Sequence, residues 1–173
     1  SDLCNAINSN TSQDCRIMSL EQVDCAFESR FDAIRRRYRY QVYLGSSLLY
    51  RNQAWLINDI DINILEELSE MIVGEYDFLS FSKFRPEQKN TNSTVYESVW
   101  KNKDKMLIYE ILGNRFLHHM VRYLVGTMVQ VSRGRYPKAK FSSLLHEPRK
   151  NVQIHRAPAN GLVLLKVEYD KYQ

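Results

Sequence analysis

The sequence predicts an α+β fold, a mostly antiparallel mixed sheet with helices packed on one face. Three observations predict it. A Tyr- and Val-dense segment, Arg35–Tyr43, alternates as a strand does. Val95–Trp100 and Met106–Leu112 flank the polar run Lys101-Asn102-Lys103-Asp104-Lys105 and read as a hairpin. Apolar residues at three- and four-residue spacing mark helices between and after these strands. Strands, long helices and a hairpin on one chain make a layered α+β domain.

In chain order, Asn8 to Asp14 is rich in turn formers and reads as a loop leading into a short strand at Arg16–Met18. In Arg35–Tyr43 the alternation puts Arg36, Tyr38, Tyr40 and Val42 on one face and Arg37, Arg39, Gln41 and Tyr43 on the other. A helix begins near Asp61, an N-cap residue, carries Ile64, Leu65, Leu68 and Ile72, and stops at Gly74. The hairpin follows. Arg115–Val131 is the longest predicted helix, closed by Gly134 and Pro137. A short helix at Phe141–Leu145 and a strand at Leu162–Tyr169 complete the pattern.

Composition bounds the function classes. The 173 residues suit a single domain spanning residues 1–173 with one sizeable core. With 11 Tyr, 7 Phe and 2 Trp the chain carries too much burial-seeking surface to be disordered. Its richest apolar stretch, Phe116 to Val131, is interrupted by His118, His119 and Arg122, so no membrane span is expected. Ser1 to Asn10 is polar and does not read as a signal peptide. Cys4, Cys15 and Cys25 form no CxxC pair and suit a reducing cytoplasm. The formal net charge of +4 permits a nucleic-acid partner without requiring one.

Two basic segments need a closer reading. On the predicted long helix, Phe116, Leu117, Met120, Val121, Leu124, Met128 and Val131 sweep out an apolar arc. Arg115, Arg122, Gly126 and Arg133 fall near one line on the other side, flanked by His118 and His119. Such a face is either solvated or presents arginines to phosphate or carboxylate. Gly126 favours the second reading, because a helical glycine costs about 1 kcal/mol against alanine and suggests a close approach. Adjacent histidines on a helix point about 100° apart, so no metal site is expected. Arg35-Arg36-Arg37-Tyr38-Arg39-Tyr40 either protects a sheet edge or makes a surface that stacks bases and neutralises phosphates. The pattern alone leaves those two open.

Four segments, in order, carry a family resemblance. They are Phe31–Tyr40, Gly74-Glu75-Tyr76-Asp77-Phe78-Leu79-Ser80-Phe81, Phe116-Leu117-His118-His119-Met120-Val121-Arg122-Tyr123-Leu124-Val125-Gly126 and Ala157-Pro158-Ala159-Asn160-Gly161-Leu162-Val163-Leu164. Together they resemble the C-terminal half of the tRNA pseudouridine synthase A family. That family's nucleophilic aspartate sits in a Gly-Arg-Thr-Asp-x-Gly-Val-His motif, and no aspartate here follows an Arg-Thr. The resemblance therefore implies a C-terminal part without the nucleophile, inactive alone. Two departures stand out: Thr11-Ser12 where the family has Leu-Pro, and Glu97 where it commonly has an arginine.

The resemblance also implies roles. Tyr38 matches the tyrosine that stacks on the target uracil, Arg122 the arginine that pairs with the aspartate, and Leu162 the aliphatic residue against the base. Arg36, Arg115, His118, His119 and Arg133 become candidate RNA contacts. The implied substrate is the anticodon arm of tRNA, with uridines at tRNA positions 38 to 40 as targets. A homodimer is implied, and no cofactor or metal. The alternative is a stand-alone RNA-binding module without catalysis.

Overall fold

The computed structural model describes residues 2–86 and 90–170. They fall into two compact units, one up to Asp32 and one from Ala33 onward. In the first unit, helix α1 (Asp2–Asn10) occupies the start of the expected loop and is followed by turns. The expected strand at Arg16–Met18 is absent. Its middle residue is satisfied instead by a side chain: Asn8 Oδ1 accepts from the Ile17 amide at 2.7 Å, and Asn8 Nδ2 donates to the Ile17 carbonyl at 2.9 Å. One asparagine amide thus takes both groups that a neighbouring strand would take.

The second unit is built on a six-stranded sheet. Strand β1 (Ala33–Leu44) pairs along one edge with β5 (Met106–Gly113), and β5 pairs with β4 (Asn92–Lys103). Strand β3 (Gly74–Asp77) lies beyond β4. Along its other edge β1 pairs with β6 (Leu162–Tyr169) over Ala33–Tyr40, and then in parallel with β2 (Trp55–Ile57) over Val42–Leu44. The mostly antiparallel α+β architecture matches the sequence prediction. The hairpin is tighter than predicted, with strands running to Lys103 and Met106 and Asp104 at φ 56°, a left-handed conformation Asp tolerates.

The pleat sets two unlike faces. Tyr40, Val42, Leu107, Tyr109, Ile111 and Trp100 point into the core with residues of helices α2 (Ile62–Met71), α3 (Met120–Ser132) and α4 (Lys138–His146). Strand β4 reaches that core with Val95 as well as Trp100, residues of opposite parity. A bulge between Val95 and Glu97 makes this possible, because one extra residue switches the face. Helix α2 starts as predicted, with Asp61 Oδ1 accepting from the Asn63 amide at 3.0 Å and the Ile64 amide at 3.4 Å. It ends at Met71, before the predicted stop. Gly74, at φ 126°, instead turns the chain into β3. A 3-10 turn at Phe78–Phe81 follows, capped by Asp77, whose carboxylate accepts from the Leu79 amide.

The longest helix is also shorter than predicted. His119 has φ 64°, which no residue inside a right-handed helix can adopt, so α3 begins at Met120. Arg115, His118 and His119 therefore lie on the approach to the helix. The two-faced picture is corrected as well, since Leu124, Val125, Gly126, Thr127, Met128 and Val129 are all buried and cover the helix nearly all round.

Candidate functional site

Strand β1 places two tyrosines on the helix side of the sheet, two residues apart. Tyr40 is fully buried, and its hydroxyl donates to the Pro158 carbonyl at 2.7 Å. Tyr38 is half-buried, with the edge of Phe116 against its ring at 5.2 Å and 85°. Strand β6 runs alongside, bringing Leu162 opposite Tyr40 and Leu164 opposite Tyr38.

Arg122 enters from the first turn of α3 and is held from both ends. Its carbonyl accepts from the Ala157 amide at 2.9 Å, and its Nε donates to the Ala157 carbonyl at 2.8 Å. Gly126 explains how that segment comes so near. A Cβ there would stand 2.3 Å from the His155 carbonyl oxygen and 2.5 Å from the Ala157 nitrogen. The close approach read from Gly126 is real, but the approaching group is the chain's own backbone. Gly161 repeats the device, with the Tyr40 ring 2.8 Å from where its Cβ would be. Residues 155–161 thus clip α3 to β1 and fix Arg122 and Leu162.

Tyr38, Phe116, His119, Met120, Arg122 and Leu162 line one cavity of about 110 Å³. No carboxylate lines it, and none among the described residues lies within ion-pair distance of Arg122. Burial pushes the Tyr38 hydroxyl above its ordinary range, partly offset by the Arg36 charge, so the phenol keeps its proton at neutral pH. His119 is pushed down to about 4 by burial and then by His118, Arg122, Arg156 and Lys83. His118 shifts the same way, through burial and then Arg85, Lys83 and Arg156. The two rings stack at 3.9 Å and 26°, an arrangement the helical reading of this pair did not allow. Arg85 Nε donates to His118 Nδ1 at 3.3 Å, which fixes that nitrogen as an acceptor.

The remaining candidates lie elsewhere. Arg36 Nη1 donates to the Ala33 carbonyl at 2.6 Å and the Asn114 carbonyl at 2.7 Å, tying the start of β1 to the end of β5. Arg115 stays outside the cavity, with its carbonyl accepting from the Ser93 hydroxyl. Arg133 caps the far end of α3, roughly 16 Å along the axis from Arg122. Its Nε is buried without a hydrogen-bond partner among the described residues. Glu97, where the family commonly has arginine, receives both Nη atoms of Arg37 at 2.7 and 3.1 Å.

Sequence reasoning missed Lys83, Arg85 and Arg156, whose charges converge on the histidine pair. The signal was present in Lys83-Phe84-Arg85, a basic and aromatic alternation like that of β1, but on a loop.

Chemically, the cavity offers an anchored guanidinium for an anion, a protonated phenol, and apolar walls from Phe116, Met120 and Leu162. Among the described residues no helix is long and apolar enough to cross a membrane. Residues 68–170 match the family model described as tRNA pseudouridine synthase. The tRNA pseudouridine synthase A of Borrelia turicatae is 35% identical, over 98% of this chain and 70% of its own length. That of Borrelia hermsii is 34% identical with the same coverage, and that of Francisella tularensis subsp. novicida is 30% identical over 96% of this chain and 66% of its own length. The family model and these relatives agree: the chain belongs to the tRNA pseudouridine synthase family.

Proposed function

We propose that this chain supplies the uridine-holding wall and the anchoring arginine of a tRNA-modifying isomerase. One observation carries the reading: Tyr38, Arg122 and Leu162, far apart in sequence, meet around a single cavity. Pseudouridine formation breaks the C1′–N1 glycosidic bond, turns the uracil and rejoins it through C5, which loses its hydrogen as a proton while N1 gains one. The base must leave its stack, at a cost of a few kcal/mol. Tyr38 stacks on it and donates from its retained proton, while Leu162 excludes water. Arg122 holds a carboxylate nucleophile ionised and aimed.

That carboxylate is expected from outside these 173 residues, since no aspartate here follows Arg-Thr and no carboxylate lines the cavity. The substrate in this reading is the anticodon arm of tRNA at positions 38 to 40, acted on by a cytoplasmic homodimer. The test is tritium release from C5-labelled uridine in tRNA. The 173 residues alone are expected to release none, and a chain extended upstream through an Arg-Thr-Asp motif is expected to be active. In the extended chain Arg122→Ala is expected to lose turnover by more than tenfold, about 1.4 kcal/mol of transition-state stabilisation. Tyr38→Phe keeps the stacking and removes the proton. Release by the 173 residues alone would refute the outside nucleophile, and an unaffected Arg122→Ala would remove the central residue. RNA binding with no activity in any extended chain would favour a non-catalytic module.

A further inference from the structure

A second cavity, of about 360 Å³, shares no lining residue with the first and is linked to it by one ring contact, His119 against Tyr123. Its walls include Ser82, Lys83, Phe84, Tyr123, Lys150 and Ile154. The histidine pair joins the two sites. His119 lines the first cavity and meets the Tyr123 ring edge-on at 6.3 Å, while the His118 carbonyl accepts from the Lys83 amide at 2.9 Å. We propose that this second cavity is a subsite for the nucleotide next to the target uridine, with Lys83 and Lys150 taking its phosphate and Phe84 and Tyr123 its base. The proposal rests on the function proposed above and extends the same site.

Four observations carry it. The volume falls within the ordinary range for ligand sites, about 300–1,000 Å³, whereas the first cavity is far smaller. No carboxylate among the described residues lines the second cavity, and neither lysine is ion-paired among them. Lys150 Nζ stands 4.3 Å from the centre of the Phe84 ring, so a cation and an exposed aromatic face are already side by side. Finally, drawing a base out of its stack leaves its neighbour's face bare. An aromatic side chain beside the uridine cavity can replace the lost stacking. Cations alone would fit any anion; cations with rings at this position fit a nucleotide.

The experiment measures binding of the 173-residue chain to an RNA hairpin with one loop uridine, by fluorescence anisotropy at several salt concentrations. The same hairpin is prepared with an abasic site on either side of that uridine. The protein variants are Lys83→Gln with Lys150→Gln, and Phe84→Ala. All three side chains are exposed, so thermal melts are expected to be unchanged. The lysine pair is expected to lower affinity about tenfold at low salt and flatten the slope of log affinity against log salt by about one. Phe84→Ala is expected to weaken intact RNA about fivefold or more and leave one abasic hairpin unaffected. Variants that bind like the unaltered chain, or a Phe84→Ala loss equal on intact and abasic RNA, would overturn the subsite while leaving the isomerase reading intact. An unaltered chain that shows no salt-sensitive binding to the hairpin would bring down both.

Discussion

Two basic regions of this protein look alike in sequence and behave oppositely in structure. On β1 each arginine from Arg36 to Arg39 is occupied within the fold. Arg36 binds two backbone carbonyls, Arg37 pairs with Glu97, and Arg39 shares Glu110 with Lys101. Around the histidine pair, Lys83, Arg85, Arg122 and Arg156 gather with no carboxylate partner among the described residues and depress the basicity of His118 or His119. A strand cation sits in register with the strands beside it, where a glutamate opposite (Glu110 for Arg39) or one strand further on (Glu97 for Arg37, across Leu112) can neutralise it. Loop and helix-end cations have no such register. The basic charge able to meet a polyanion is thus on the loops, beside the cavity.

The sharpest way to break this contrast is to remove charge from each region separately. Lys83→Gln, Arg85→Gln and Arg156→Gln together are expected to cost about a hundredfold in RNA affinity at low salt, each removing one cation that is free of carboxylates among the described residues. Their thermal midpoint should stay put. Arg37→Gln with Arg39→Gln should do the reverse, lowering the midpoint and leaving affinity within about twofold. Filter binding and thermal melts of both variants decide it, and the reverse outcome would make β1 the RNA surface.

Gly126→Ala tests how the loop region is held. Alanine favours a helix by about 1 kcal/mol, but this Cβ would meet two backbone atoms that cannot rotate away. Moving residues 155–157 is expected to cost about 2 kcal/mol net, or roughly 4–8 °C in a thermal melt. Arg122 loses its carbonyl anchor with them, so in an extended, active chain turnover should fall further than stability explains. An unchanged melt would mean the clip is slack.

Glu110→Gln addresses the strand region. The Glu110 side chain is 10% exposed, and its two cations, Arg39 and Lys101, keep 36% and 51% exposure. Full burial of a broken pair costs about 3–5 kcal/mol, and water can reach both cations here, so about 1 kcal/mol is expected. Denaturant unfolding measures it. RNA affinity should not fall.

Much of this was legible in the sequence. Period-two alternation sorted β1 into its two faces without saying which meets the core, and Asp61 marked the start of α2, because both signals are local. Leu162, Arg122 and Tyr38 came from resemblance; nothing in their spacing says that they share a cavity. The late start of α3 was hidden, because the residues from Phe116 onward look helical and only the left-handed backbone of His119 delays the turn. Gly126 announced a close approach without saying of what. The occupation of the β1 arginines was invisible too, since Glu97 and Glu110 reach them through a strand register no single segment encodes.

Acid separates the two regions by pH window. His119 has a folded pKa of about 4 against an ordinary 6.5, so between those values the unfolded chain binds a proton that the folded chain refuses. Stability therefore falls as pH drops from 6.5 toward 4, and His118 adds in the same direction. On the strand side Glu97 and Glu110 are held below the usual carboxylate range, chiefly by hydrogen bonds from Arg37 to the first and from Lys101 and Arg39 to the second. Their contribution is intact above the ordinary value of 4.5 and is lost only as pH falls below it. His119→Asn leaves the left-handed backbone relaxed, since asparagine tolerates that conformation. It should flatten the dependence of the thermal midpoint on pH between 6.5 and 4.5 and leave the loss below 4.5 in place. Glu110→Gln should do the opposite. Melts of both variants at half-unit pH steps separate the windows, and a His119→Asn curve that parallels the unaltered chain above 4.5 would show that the loop cations do not govern His119.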